Sequence, residues 1–140
     1  MEISMEPLSI LQLVEEVTEK FQAAAMEKNI LLRPLKPAQD TRIYGDYNRL
    51  VQVLNNLLSN AIKFTPRGGE IELRVFTPRV MSPHIGISVK DTGPGIRVED
   101  LERVFDKFEQ VRRSDTRKIG GTGLGLAISR SIVEAHKGKI

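Results

Sequence analysis

A glycine-rich segment late in the chain, GGTGLGL at residues 120–126, runs directly into a predicted helix that extends from about Thr122 to Ala135. Glycines allow backbone N–H groups to approach a polyphosphate closely, and the start of the following helix directs unpaired N–H donors and the positive end of its dipole to the same place. On its own, such a run is weak support for phosphate binding. Its meaning depends on two polar motifs that precede it.

Composition limits what kind of protein carries these motifs. The chain has 140 residues, of which 40% are hydrophobic and 28% charged, and this predicts one globular domain with an ordinary core. It contains no cysteine, which excludes disulfides and thiolate metal sites and agrees with a reducing cytoplasm. No apolar run approaches the roughly 20 residues that span a bilayer, and no signal peptide follows Met1. We therefore expect a cytoplasmic domain without membrane contact, and the sequence leaves open whether the parent protein is membrane-anchored.

The chain is mildly basic, with a net charge of +3. Basic and aromatic residues are not interleaved, so a solvated surface is the better interpretation and we expect no nucleic-acid partner. The positive charge is nevertheless uneven, because Arg112, Arg113, Arg117 and Lys118 lie just before the glycines. Such a cluster is typical of a phosphate-facing lid and also of a plain exposed loop.

Hydrophobic periodicity and turn residues predict three main helices and several short strands. Ser9 and Asp46 are the expected N-caps of the first two helices. The predicted elements are a helix from Ser9 to Lys28, a short edge strand within residues 29–35, a short strand at Ile43–Tyr44, a helix from Asp46 to Phe64, strands at Glu70–Phe76 and Ile85–Val89, a short helix at Val98–Val104 and the last helix, which Gly138 ends. The apolar face of this last helix is predicted to comprise Leu124, Ala127, Ile128, Ile132 and Ala135.

The second helix carries the first polar motif. At about 100° per residue, Asn56, Asn60 and Lys63 fall in a narrow stripe that borders its apolar face. Every amphipathic helix has a polar face, so each of these residues also has a purely structural interpretation. An amide oxygen can ligate Mg²⁺, whereas ammonium and amide N–H groups can contact phosphate oxygens.

The second polar motif is a turn after a strand. Asp91 is followed by Gly93, Pro94 and Gly95, which favour a tight backbone turn. Asp91 is either an ordinary turn aspartate or a fixed carboxylate that accepts a hydrogen bond from the exocyclic amine of adenine. Guanine carries a carbonyl at that position, so the second interpretation predicts selectivity for ATP.

Together these motifs resemble the ATP-binding catalytic domain of sensor histidine kinases, within a wider family that includes type II topoisomerases, mismatch-repair ATPases and heat-shock chaperones. NRLVQVLNNLLSNAIKFTP resembles that family's asparagine box, DTGPGI its first glycine box, VFDKFEQ its phenylalanine box and GGTGLGLAI its second glycine box. The order and spacing of the boxes agree, and the resemblance covers almost the whole chain. The boxes together are far more specific than any one of them.

The resemblance implies a role for each matching residue. Asn60 would ligate Mg²⁺, Asn56 and Lys63 would contact the phosphates of ATP, and Asp91 would hold adenine. The rest of the implied site comprises the residues around the base, Phe64, Gly93, Gly95 and Ile96, the lid residues Phe105, Phe108, Arg117 and Lys118, and the triphosphate loop Gly121, Thr122, Gly123, Leu124 and Gly125.

Asn56 separates two branches of the family. The resemblance implies that, in the topoisomerase and chaperone branches, the position of Asn56 is occupied by a glutamate that activates water for hydrolysis. An amide cannot accept a proton at neutral pH, so water attack is not favoured here. Phosphoryl transfer needs mainly positioning and charge neutralisation, so this domain can hold ATP while another domain supplies the nucleophile.

The sequence lacks the phosphoacceptor that such kinases use. They accept phosphate on a histidine followed by an acidic residue, but His84 precedes Ile85 and His136 precedes Lys137. We therefore expect residues 1–140 to be a single ATP-binding catalytic domain, without its dimerisation and phosphoacceptor domain and truncated at the C-terminus. Residues 138–140 are predicted to begin the first of two final strands, and an unfinished sheet would present an edge for pairing with another chain.

We expect an α/β two-layer sandwich (α+β) of the Bergerat type, in which a mixed β-sheet carries three main helices on one face. The expected function is transfer of the γ-phosphoryl group of ATP·Mg to a histidine on the dimerisation domain of the parent kinase, with a response regulator as an indirect partner. Three alternatives stay open. They are a hydrolysing ATPase of the chaperone or topoisomerase branch, a nucleotide-binding regulatory module without transfer activity, and a kinase that phosphorylates serine.

Overall fold

The chain folds into helices that pack on one side of a small mixed sheet. The structure is a computed structural model and describes residues 2–37, 39–76, 84–96, 98–100 and 125–140. Its elements are β1 (Glu6–Ser9), α1 (Ile10–Glu27), β2 (Leu31–Leu35), β3 (Arg42–Gly45), α2 (Tyr47–Phe64), β4 (Glu70–Phe76), β5 (Gly86–Asp91), a 3-10 turn (Val98–Asp100) and α3 (Gly125–Ala135).

The strands in the described residues form two sheets rather than the single predicted one. β4 lies between β2, to which it runs parallel, and β5, to which it runs antiparallel. β1 and β3 pair antiparallel as a separate two-stranded sheet, with Leu8 opposite Ile43. The mixed character of the main sheet is confirmed. Residues 138–140, predicted to begin a strand, form none in this structure.

The core lies between the helices and the inner face of the main sheet. Ile71 and Leu73 of β4 are fully buried against Val14 and Val17 of α1 and Leu58 of α2, all in one apolar cluster. Alternation along β4 predicts this inward face, because successive strand residues point to opposite sides. None of the helices in the described ranges is long and apolar enough to cross a membrane.

The start signals of α1 and α2 are confirmed. The Ser9 hydroxyl accepts a hydrogen bond from the backbone N–H of Gln12, and the Asp46 carboxylate accepts one from that of Arg49. A side-chain oxygen at this position satisfies one of the N–H groups that a helix start leaves unpaired. These two bonds set where each helix begins.

α3 ends at Ala135, as predicted. Lys137, not Gly138, takes the left-handed conformation, with φ of 60°. The N–H of Gly138 donates to the carbonyl of Val133, and that of Lys137 donates to Glu134. This is the hydrogen-bond pattern of a Schellman motif, which usually places glycine where Lys137 lies.

α3 packs antiparallel against α2 through a stripe of which the sequence pattern predicted only Ile132. Gly125, Ser129, Ile132 and His136 follow one another at four-, three- and four-residue spacing along the face towards α2. Ala127 and Ile132 are buried, as predicted, whereas Ile128, predicted to face the core, is 37% exposed and Ala135 is also exposed. The small residues Gly125 and Ser129 allow a close approach to α2.

Candidate nucleotide-binding site

α2 brings the polar residues of the first motif to one edge of the core. Asn56, Asn60 and Lys63 are half-buried, and their spacing places them along one side of the helix. The Asn60 side chain makes no hydrogen bond with any of the described residues, so its amide oxygen and N–H groups are available to a ligand. Since α2 rises by about 1.5 Å per residue, Asn56 and Phe64 are separated by about 12 Å along its axis.

The first residues of α3 contact Asn56. A methyl group added at Gly125 would overlap the amide of Asn56, so only glycine permits this approach. The Asn56 amide nitrogen lies 3.2 Å from the hydroxyl oxygen of Ser129 and donates a hydrogen bond to it. The C-terminal end of the glycine-rich segment is thereby held beside the asparagine side of α2.

The other end of α2 contacts the turn that follows β5. A Cβ added at Gly93 would lie 2.9 Å from the carbonyl oxygen of Phe64 and 2.9 Å from Oδ1 of Asp91. The absence of a side chain at Gly93 therefore allows the turn to approach the end of α2 closely. Phe64 is half-buried there, and the ammonium of Lys63 lies 5.8 Å from the centre of its ring, within cation–π range.

Asp91 is the last residue of β5, and its side chain is exposed. Its Oδ1 accepts a hydrogen bond of 2.8 Å from the backbone N–H of Gly93, which orients the carboxylate and leaves Oδ2 directed elsewhere. Gly95 has φ of +79°, a left-handed conformation that favours glycine, and a Cβ added there would have no atom of the described residues within 4 Å. Gly93 and Gly95 thus serve different purposes, the first steric and the second conformational.

Two residues that the sequence analysis did not single out hold this end of the site. The ammonium of Lys28 donates to the carbonyls of Ile62, at 2.8 Å, and of Lys63, at 3.0 Å, and so caps the end of α2. The hydroxyl of Thr92 accepts from the backbone N–H of Glu70 at 3.0 Å and ties the end of β5 to the start of β4. Thr92 belongs to the DTGPGI motif, whereas no sequence signal marked Lys28.

The described residues contain only part of the predicted site. Along α2, Asn56 contacts the start of α3 and Phe64 contacts the turn of Asp91 and Gly93. Ile96, which follows that turn, is 41% exposed. The predicted site residues Phe105, Phe108, Arg117, Lys118, Gly121, Thr122, Gly123 and Leu124 lie outside the described residues.

Comparison with known proteins identifies the family of this chain. Residues 45–140 match the model of the family described as histidine kinase-, DNA gyrase B- and HSP90-like ATPases. The sensor histidine kinase WalK of Bacillus subtilis is 37% identical over 139 residues, which are 99% of this chain and 22% of WalK. The chain thus spans about a fifth of the length of this relative.

Solved structures show the same fold. The catalytic domain of histidine kinase ThkA is 31% identical with a TM-score of 0.80, and the match covers 95% of this chain and 83% of that domain. ThkA solved in complex with the response regulator protein TrrA gives a TM-score of 0.79 at 30% identity, over 99% of this chain and 37% of that one. The chain belongs to the family of histidine kinase-, DNA gyrase B- and HSP90-like ATPases, and within it to the ATP-binding catalytic domains of sensor histidine kinases.

Proposed function

We propose that this domain binds ATP along α2 and presents the γ-phosphoryl group to a histidine on the dimerisation domain of the parent kinase. The observation that carries the proposal is the contact of α2 with two separate elements. Asn56 touches the start of α3, where the glycine-rich segment ends, and Phe64 touches the turn of Asp91 and Gly93. A nucleotide lying along the helix would have its phosphates at the first contact and its base at the second.

The base would lie beside Asp91. Because Oδ1 is used by the N–H of Gly93, Oδ2 is the oxygen that we assign to the exocyclic amine of adenine. Phe64 would border the ring. The proposal therefore includes selectivity for adenine over guanine, which has a carbonyl where adenine has that amine.

Mg²⁺ fits the residues near the phosphates. The described part of the chain contains no group of three or more His, Cys, Asp or Glu side chains that could hold a metal ion. Mg²⁺ commonly takes one or two protein oxygens together with phosphate oxygens and water, so the amide oxygen of Asn60 is a sufficient protein ligand. The ion would neutralise charge on the transferred phosphoryl group. Lys63 would add a positive charge from the same helix.

Transfer rather than hydrolysis follows from Asn56. Its amide donates a hydrogen bond to Ser129 and has no basic atom with which to take a proton from water. The domain would therefore act in the cytoplasm as a phosphodonor and influence a response regulator only through the phosphorylated histidine. Support for that partner is the ThkA relative, which has been solved with the response regulator TrrA.

The proposal is tested with γ-labelled ATP and Mg²⁺. The purified domain alone should bind nucleotide without becoming labelled, and an added dimerisation domain of the parent kinase should acquire label on histidine. Asn60→Ala should abolish this transfer, whereas Asn48→Ala, in the exposed first turn of the same helix, should leave it unchanged. Stable labelling of the isolated domain, or steady release of phosphate without an acceptor, would contradict the assignment.

A further inference from the structure

Ser129 is a buried polar residue with one specific partner. Its side chain lies on the face of α3 towards α2, the residue is 1% exposed, and its hydroxyl accepts the hydrogen bond from the Asn56 amide nitrogen at 3.2 Å. Neither the asparagine box nor the glycine boxes include this position. Buried hydroxyls are nearly always paired, so the contact gives Ser129 its only polar partner among the described residues.

The Asn56 amide is held from two directions by α3. The Ser129 hydroxyl accepts a hydrogen bond from its nitrogen, and a methyl group added at Gly125 would overlap its oxygen. Both contacts restrict rotation of the amide.

We propose that Ser129 is a positioning residue that orients the Asn56 amide for the triphosphate. One of the two amide N–H groups is used by Ser129, and the other is left for a phosphate oxygen. This inference rests on the proposed role of Asn56 in nucleotide binding. Without the Ser129 hydroxyl, the amide would lose one of the two contacts that restrict its rotation and could meet the phosphate with either end.

The same bond also links the two parts of the phosphate site. Asn56 lies in the middle of α2, and Gly125 is the residue directly after the segment GGTGL. Fixing Asn56 to α3 therefore fixes the helix that carries Asn60 relative to the end of the glycine-rich segment. Preorganised contacts of this kind improve affinity because less conformational freedom is lost on binding.

The test compares Ser129→Ala with Ser131→Ala, a matched control on the same helix. The Ser131 hydroxyl donates only to the backbone carbonyl of Ala127, at 3.1 Å. We expect Ser129→Ala to weaken ATP·Mg binding in calorimetry by roughly three- to tenfold, as for the loss of one hydrogen bond. Ser131→Ala should bind as the wild type does.

A double-mutant cycle separates positioning from general loosening of α3. In an Asn56→Ala background, the effect of Ser129→Ala on ATP affinity should disappear, because there is no amide left to orient. An equal loss of affinity in both backgrounds would overturn the proposal, as would unchanged affinity in the single variant. Ser129→Cys keeps a similar volume with a weak acceptor, so it should lose affinity even if the alanine variant folds poorly.

A readout without nucleotide distinguishes failure of this inference from failure of the proposed function. In ¹⁵N spectra of the ligand-free protein, Ser129→Ala should shift the side-chain NH₂ resonances of Asn56, and Ser131→Ala should not. If those resonances do not move, the inference is wrong even when ATP binds. If they move but the wild type fails to bind ATP·Mg, the proposed function is wrong and Ser129 has no positioning role.

Discussion

The imidazole of His136 accepts a hydrogen bond of 2.9 Å at Nε2 from the backbone N–H of Asp46, a residue 90 positions earlier in the chain. The other ring nitrogen, Nδ1, lies 2.8 Å from the carbonyl oxygen of Ile132. His136 must therefore carry its proton on Nδ1, because the carbonyl can only accept. This neutral tautomer joins the end of α3 to the start of α2.

Replacing His136 should loosen the contact between the two helices. In His136→Leu, the Asp46 N–H loses its acceptor, and we expect the free energy of unfolding to fall by about 1–3 kcal/mol. His136→Gln can place a side-chain oxygen near the position of Nε2 and should lose less. Urea denaturation of both variants measures the difference. Equal stability of the leucine variant and the wild type would show that the bond contributes nothing.

Gly125→Ala tests the close approach of α3 to Asn56. Alanine favours a helix over glycine by up to about 1 kcal/mol, so the substitution would stabilise α3 if there were room. The added methyl group would overlap the Asn56 amide, and we therefore expect lower stability and weaker ATP binding.

The control for this substitution is Asn56→Ala, which removes the overlapping amide. In that background, Gly125→Ala should become neutral or stabilising in thermal denaturation. If Gly125→Ala destabilised both backgrounds equally, the glycine would be required for its backbone conformation and not for the contact.

The N-cap of α2 predicts how stability depends on pH. Hydrogen bonds from the backbone N–H groups of Ser4, the larger cause, and of Arg49 lower the pKa of Asp46 below its ordinary value of 3.8. Because the pKa of Asp46 is lower in the folded state than in the unfolded state, Asp46 contributes fully to stability above its unfolded-state pKa. This contribution is lost as the pH falls through its folded-state pKa.

Asp46→Asn isolates this contribution, since asparagine is also a good N-cap but does not titrate. Between about pH 6 and pH 2, the free energy of unfolding should fall less steeply in the variant than in the wild type. Asp40→Asn should behave similarly, because hydrogen bonds from the Ser9 hydroxyl and the Leu11 N–H lower the pKa of Asp40. Identical acid profiles for the wild type and both variants would contradict the pKa directions.

Elements with strong local signals were predictable from the sequence. α1, α2 and β4 have N-caps or regular alternation, and their bounds agree with the prediction to within a residue or two. β1 was missed because Glu6–Ser9 is short and contains Pro7, and it forms only by pairing with β3, which is distant in the chain. Pairing between distant segments leaves no local pattern.

The candidate site shows the same limit. Motif resemblance selected Asn56, Gly93 and Gly125, but it could not show that the two glycines permit contacts with Asn56 and Phe64. Ser129 was missed because the apolar pattern of α3 pointed to Ile128 as an inward residue. The orientation of a helix depends on how closely its small residues allow a neighbour to approach, and this is a tertiary property.

The most direct test of nucleotide binding along α2 is a calorimetric titration of wild type and Asp91→Asn with ATP and GTP in the presence of Mg²⁺. Asparagine can still accept from the N–H of Gly93 through its oxygen, so the turn should persist, but its N–H group would face the amine of adenine. We expect the wild type to prefer ATP, and the variant to bind ATP at least about tenfold more weakly and to lose that preference. Unchanged ATP affinity and preference in Asp91→Asn would contradict the placement of adenine at this turn.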